Sequence, residues 1–564
     1  MCSCFPRRYG LVLSLILVPV LIAGTADARA EVDLREHLRQ RLEAMYAAPE
    51  AIAGGQALQS PDLLQALYED RDWRPIWFDE RGASSALKAQ LFAALDRAAD
   101  HGLEPRHYHR DALFGLIEMR SAGADISVPG DIELLASDGL LSLGSHLLHG
   151  KVDPETIDPG WLLQREVPDL FEALADGRGE GPVDLVVVLD DLAPRYEAYH
   201  RLRERLALQR QLVGNGPWPA IESGPLLRPG ELDPRVSMIR QRLLFLGDLT
   251  ETDQAAGEDS NFYDDDLAQA VRTFQRRHGL EVDGIVGPRT LGELNVSPAE
   301  RVGQLRANLE RWRWLPRDMG EEYLLVNIAA YSLHVRAGGE IVMTQRVVVG
   351  TPARRTPVFT GRMTYLVLNP SWEVPPRLAV QDVLPRIRAD EAYLDNMGFS
   401  VLQGWGSDER RIDPETVDWA RLSARNFPYR LRQSPGPENA LGQVKFMFPN
   451  RHNIYLHDTP ARGLFGREER AFSSGCIRVE DADALTQWLL NQRSNIMSPE
   501  RIRAVLDSGR ETTVRLDRPL QVHLLYWTAW VDDQGGIQYR RDVYHRDLPL
   551  IAALHAAPVH TQGN

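Results

Sequence analysis

Two residues in one stretch of the chain have the chemistry for covalent catalysis: His457, in Asn453-Ile-Tyr-Leu-His-Asp-Thr-Pro460, and Cys476, in Ser473-Ser-Gly-Cys-Ile-Arg478. A thiol with a pKa of about 8.5 is only a few per cent ionised at neutral pH, and pairing with an imidazole commonly lowers it to roughly 3.5–7.5. On this reading Cys476 is the nucleophile, and His457 is the general base that later returns the proton to a leaving amine. The glycine before the thiol allows a tight bend that would aim the backbone N–H groups of Gly475 and Cys476 at a developing oxyanion. A rival arrangement, zinc held by His452, His457, Asp458 and Cys476, uses acceptable ligand types, but its spacing matches no familiar zinc pattern. The acyl-transfer reading requires no cofactor and no metal.

The elements that must hold this pair are strands. Residues 453–457 alternate, so Tyr455 and His457 share one face while Ile454 and Leu456 take the opposite, inward one. From Tyr323 the pattern is β-rich over Tyr323–Ala329, Ser332–Arg336 and Ile341–Val349, with further strands predicted at Met363–Leu368 and Val444–Phe448. Between the last two, residues 369–441 form a polar insert with helical patches at Val380–Ile387 and Val417–Leu422, in the position of a lid or binding surface. After Cys476, Asp481 opens a helix with Leu485, Trp488 and Leu489 on its apolar side.

The other segments are apparatus around that unit. The 564 residues are too many for one core, and a net charge of −15 argues against a nucleic-acid partner. Arg7 and Arg8, the apolar run Leu11–Ala23 and the small residues Ala26, Ala28 and Ala30 have the order of a secretory signal peptide, with an uncleaved membrane anchor as the alternative. Cys2 and Cys4 lie in that segment, which leaves Cys476 as a lone thiol in an exported chain, unable to form an internal disulfide.

Residues 31–225 read as a helical scaffold, with apolar spacing at Leu87, Leu91 and Leu95 and a long helix over Leu192–Leu212. His107 and His109, in an aromatic-rich piece, read as satisfied histidines. A Pro/Gly-rich stretch, 215–230, reads as a linker. Beyond it, Val236–Leu244, the capped helix Asp264–His278 ended by Gly279, and a last helix through Leu291 and Leu294 make a small helical unit. Its Phe274-Gln-Arg-Arg-His-Gly-Leu280 and Val282-Asp-Gly-Ile-Val-Gly-Pro-Arg-Thr-Leu291 resemble the three-helix peptidoglycan-binding domain of cell-wall enzymes.

The stretches Asn453–Pro460 and Ser473–Val479 resemble the YkuD-type L,D-transpeptidase catalytic domain in its large exported Gram-negative form. The resemblance implies a multidomain α+β protein: signal peptide 1–30, helical scaffold 31–225, peptidoglycan-binding domain 226–298, mainly-β catalytic domain 299–530 with a capping insert at about 369–441, and a tail 531–564. It also implies a periplasmic enzyme. Cys476 would attack the third residue of a tetrapeptide stem, release D-Ala, and pass the acyl group to a diamino-acid side chain of a neighbouring stem. Peptidoglycan stem peptides, as donor and acceptor, are the implied partners, with cell-wall synthesis proteins a further possibility.

Many members of the family have Ser-His-Gly-Cys where this chain has Ser473-Ser-Gly-Cys476, so Ser474 offers a hydroxyl in place of a second imidazole. Ser474, Tyr455, Asp458 and Arg478 are the candidate substrate-binding residues, and Arg478 either binds a stem carboxylate or braces the loop. The same thioester could instead be hydrolysed or passed to an envelope protein, and a non-catalytic wall-binding scaffold is the reading from a different class.

Overall fold

The structure, a computed structural model, describes residues 27–46, 50–78, 85–121, 127–163, 169–176, 184–214, 216, 218–250, 261–390, 392–493 and 497–558. Residues 1–26 of the predicted signal peptide therefore lie outside the described residues. The chain divides into two compact units, one built from residues up to Asp158, Arg165–Arg317 and Thr528 onward, the other from Pro159–Gln164 and Asp318–Trp527.

The first unit is helical. Its helices Ser85–Asp96 and Glu197–Val213 fall close to where the apolar spacing placed them. His109 and His107 are both satisfied, by the Asp138 carboxylate at 2.7 Å and by Lys151 Nζ at 2.9 Å. The small domain has its own core of Val236, Ile239, Leu243, Leu267, Val271, Phe274, Leu291 and Leu294. The Asp264 side chain caps its central helix, Asp265–His278, by accepting from Leu267 N, and Gly279 ends it at φ +68°, where a Cβ would be strained. Gln275 clamps the following turn, donating to Asp283 at 2.8 Å and accepting from Gly284 N at 2.9 Å.

Three boundaries differ from the sequence expectation. The stretch 215–230 is not a free linker: Ile221 and Leu227 enter the small domain's core, and Trp218 stacks under Arg242 at 3.6 Å. Helix Pro298–Arg313, expected to open the catalytic domain, packs within the first unit. Residues 528–558, expected as a tail, fold onto that same helix, through Thr528 N to Asn308 at 2.9 Å and Arg311 to Asp547 at 2.6 Å. These partners are distant in sequence, so no local pattern signals them.

The second unit is organised by nine strands: β1 (Glu322–Asn327), β2 (Ser332–Ala337), β3 (Glu340–Gly350), β4 (Phe359–Leu368), β5 (Val444–Met447), β6 (Leu456–His457), β7 (Ala471–Ser473), β8 (Ile477–Val479) and β9 (Thr512–Leu525). Their order is β7-β3-β8-β6-β5-β4-β9-β1-β2, and β2 also pairs with β3, which closes the sheet on itself. Leu366, Phe446, Leu456 and Ile477 are fully buried and lie opposite one another across β4, β5, β6 and β8, so this face of the four strands is core. The helix Ala482–Arg493 buries Leu485 and Leu489 as anticipated, while Trp488 is only half-buried.

The insert 369–441 is more ordered than its polar composition indicated. It carries a four-stranded sheet, in the order Trp372–Glu373, Arg430–Gln433, Phe399–Gln403 and Arg410–Ile412, besides a helical segment at 376–389. Val374, Val383, Ile387, Phe399, Val401 and Leu431 form its separate core. On the sheet, Arg430 and Arg432 each bridge Glu373 and Glu409 at 2.8–3.0 Å, which accounts for charged residues at strand positions. Leu431 is fully buried, so Leu431→Ala is expected to cost about 2–5 kcal/mol. Hydrogen exchange that quickens across 372–433 while the barrel strands stay protected is the outcome to look for.

Candidate active site

The positions of His457 and Cys476 follow from strand register. β6 and β8 run parallel, with Leu456 beside Ile477 and His457 beside Arg478, and Ile477 N donates to Tyr455 O at 3.1 Å. Because side chains alternate, Tyr455, His457, Cys476 and Arg478 occupy the face opposite the Leu456–Ile477 core. β5 adds a fifth residue, since Lys445 lies directly across from His457.

Asparagines shape the approach to β6. Asn450 Oδ1 accepts from His452 N and Ile454 N, its Nδ2 donates to Ile454 O at 2.7 Å, and Asn453 takes the left-handed conformation at φ +55°. The bend before Cys476 is tied as firmly. Ser473 Oγ donates to Cys476 O at 2.6 Å and accepts from Gly475 N at 3.1 Å, while Thr356 Oγ1 donates to Gly475 O at 2.8 Å. Gly475 has φ +116°, so a side chain there would be strained.

His457 is buried, and its Nδ1–H donates to Asp458 O at 2.5 Å, which leaves Nε2 as the basic nitrogen. Burial, reinforced by the charge of Arg478 and then of Lys445, lowers its pKa to about 3. The imidazole is thus neutral across the physiological range, the state a general base requires.

Cys476 is partly accessible, and its Sγ–H is directed at Asn453 O at 3.6 Å. Among the described residues the thiol makes no hydrogen bond with His457. The two are diagonal neighbours on one face, a separation that an aromatic side chain can span. Burial pushes the thiol up from its ordinary value, against hydrogen bonds from Tyr455 and the charges of Lys445 and Arg478. This corrects the expectation of a thiol held low by histidine: the resting pair is neutral, because desolvation outweighs the nearby cations.

The remaining candidates separate. The Tyr455 hydroxyl reaches Cys476 and the Trp372 indole, and its ring lies 5.7 Å from that of His457, so it belongs to the site. Arg478 is half-buried with Nε unpartnered, and no carboxylate among the described residues pairs with it.

Asp458, by contrast, is buried with both oxygens engaged, by Gln443 N at 2.9 Å and Arg462 at 2.6 Å, which makes it a brace and not a substrate contact. Of the two N–H groups expected in the oxyanion hole, that of Gly475 is occupied by Ser473, while that of Cys476 has no acceptor among the described residues. Ser474 is exposed and accepts from Arg354 at 2.8 Å, and Arg354 also pairs with Asp382 of the insert. The rival metal site does not form: no three His, Cys, Asp or Glu converge among the described residues, and His452 packs against Phe359 at 5.4 Å.

Sequence reasoning passed over Lys445, Trp372 and Arg354. Alternation in Val444-Lys-Phe-Met447 sets Lys445 opposite Phe446 in facing, but nothing local says which strand lies alongside.

Comparison with known proteins fits this geometry. Residues 321–512 match the L,D-transpeptidase catalytic domain. The barrel is therefore an L,D-transpeptidase catalytic domain. Residues 233–294 match the "Putative peptidoglycan binding domain" and residues 62–206 the scaffold domain.

A "Putative L,D-transpeptidase" of Haemophilus influenzae is 40% identical over 249 residues, 44% of this chain and 48% of that protein. The N-acetylmuramoyl-L-alanine amidase CwlM of Mycobacterium tuberculosis is 44% identical over 78 residues, 13% of this chain and 19% of its own length. The chain thus spans half or less of the curated relatives it matches. A solved L,D-transpeptidase from Mycobacterium smegmatis aligns over 36% of this chain and 58% of its own, at 13% identity and a TM-score of 0.17.

The depressed His457 pKa in the transpeptidase domain carries a stability consequence. The unfolded chain binds this proton below about 6.5 and the folded chain only below about 3, so stability falls as pH drops through that window, by at most about 1.4 kcal/mol per unit from this group. His457→Gln should flatten the acid limb of the domain's Tm against pH. An unchanged slope would assign the acid sensitivity to other groups.

Proposed function

We propose that this protein is a peptidoglycan L,D-transpeptidase whose nucleophile is Cys476 and whose base is His457. The observation that carries the reading is the parallel pairing of β6 with β8, with both residues on one face beside the open Cys476 N–H. His457 Nε2 takes the thiol proton as Sγ attacks the carbonyl of the third, diamino-acid residue of a tetrapeptide stem. The oxyanion forms against the Cys476 N–H. Collapse breaks the peptide bond, the imidazolium returns its proton to the departing D-Ala amine, and a thioester remains. The side-chain amine of a diamino acid in a second stem then loses a proton to His457, attacks the thioester and releases the thiol.

Three features support the substrate class. The small domain matches a peptidoglycan-binding family, a relative 40% identical carries the transpeptidase name, and the insert borders the site through Trp372 and Asp382. Among the described residues no helix is long and apolar enough to cross a membrane. An exported, periplasmic location rests on the order of charges and apolar residues in the first thirty positions, and cell-wall synthesis proteins are the partners that location offers.

Expression of the full chain should generate links between two diamino residues in muropeptide analysis. Cys476→Ala and His457→Ala should each reduce them at least about 100-fold. Folded wild-type protein that yields no such links would count decisively against the proposal.

A further inference from the structure

Lys445 has no assigned role, yet it faces the same side of the sheet as His457 and is directly opposite it. Its Nζ sits 4.0 Å over the Tyr455 ring, whose hydroxyl reaches the Cys476 sulfur. Among the described residues no aspartate or glutamate forms a salt bridge with it. The carboxylate in its surroundings, Glu511, opposes the fall of the Lys445 pKa without pairing with it, and its Oε2 accepts from Ser371 N–H at 2.6 Å and Ser371 Oγ at 2.5 Å. Arg478 shares the face and likewise lacks a carboxylate.

Burial lowers the pKa of both cations, so neither is fully solvated in place of an ion partner. Two partly buried positive charges beside a thiol, with no anion between them, are costly unless something negative enters. The proposed reaction supplies such a group. The residue released from the donor carries a free carboxylate one residue beyond the attacked carbonyl, and one residue spans only about 3.8 Å.

We infer that Lys445, together with Arg478, forms a carboxylate-binding subsite that reads the free C-terminus of the donor's leaving residue. Lys445 supplies a mobile point charge oriented over the Tyr455 face, and Arg478 supplies a planar fork. A stem one residue longer puts a neutral peptide bond where the carboxylate belongs, so the subsite selects donors that end directly after the scissile bond. The donor's identity rests on the transpeptidase reading; the anion site itself does not.

Alkylation of Cys476 by iodoacetate and by iodoacetamide tests the anion site without any substrate. In both, the thiolate forms a bond to the methylene carbon and iodide departs; the reagents differ by one negative charge. Rates are read by mass spectrometry of the peptide containing Cys476 in the full chain. The iodoacetate-to-iodoacetamide ratio should fall about 5-fold or more in Lys445→Met and stay within about 2-fold of wild type in Lys445→Arg. Because the same thiolate meets both reagents, a change in thiol pKa or a purely structural loss leaves the ratio unmoved, and that result overturns the inference.

The second arm uses a tetrapeptide donor and its C-terminal amide. Lys445→Met should lower kcat/KM for the free acid about 10-fold more than for the amide, since any change in thiol or imidazole affects both donors alike. Equal losses on both donors overturn the specificity claim. A wild type inert to both donors whose alkylation ratio still falls in Lys445→Met refutes the transpeptidase reading and leaves the anion site standing.

Discussion

Everything at the site depends on the short parallel pairing of Leu456–His457 with Ile477–Val479. Parallel strands cannot be joined by a tight turn, so the chain between them must cross over. Here the crossover runs through a 3-10 turn at Arg462–Gly466 and the short strand β7, anchored by buried Phe465 and by the Asp458–Arg462 pair at 2.6 Å. The register cannot slip by one residue, because a slip would turn Leu456 or Ile477 out of the core and His457 or Arg478 into it. Apolar burial on one face therefore fixes the chemistry on the other.

The electrostatics of that face explain why the resting pair is neutral. Burial disfavours the charged forms of both thiol and imidazole, and the cations Arg478 and Lys445 push the imidazole further down while pulling the thiol back. Burial thus leaves the imidazole unprotonated and holds the thiol above its ordinary value, with Lys445 and Arg478 as the nearby positive charges. The loop bearing the thiol is held by Ser473 from within and by Thr356 from the connection between β3 and β4. Its outer side is tied through Arg354 to Asp382, so the insert and the thiol loop share one ion-paired anchor.

Much of this was legible from residue order. The His457–Cys476 motif, the alternation through Tyr455, the caps at Asp264 and Gly279 and the strands from Tyr323 are local signals, and the structure forms them close to where local rules put them. The insert was less legible: its strands are charged at Arg430, Arg432, Glu373 and Glu409, whose mutual pairing is visible only when distant segments meet. Asp458 was misread for a similar reason. Next to His457 in sequence it looks like a substrate contact, but Gln443 and Arg462 already occupy it.

By itself the sequence determined which groups can react, where the strongly periodic helices and strands lie, and that an isolated thiol follows a histidine. These are properties of residue types and of periods of a few residues. Only the tertiary structure decided that Lys445 stands across from His457, that Gly475 N–H is already used, that Trp372 reaches Tyr455, and that residues 528–558 complete a helical unit. Each of those depends on which strands become neighbours and in what register, and that is set by burial of side chains far apart in the chain.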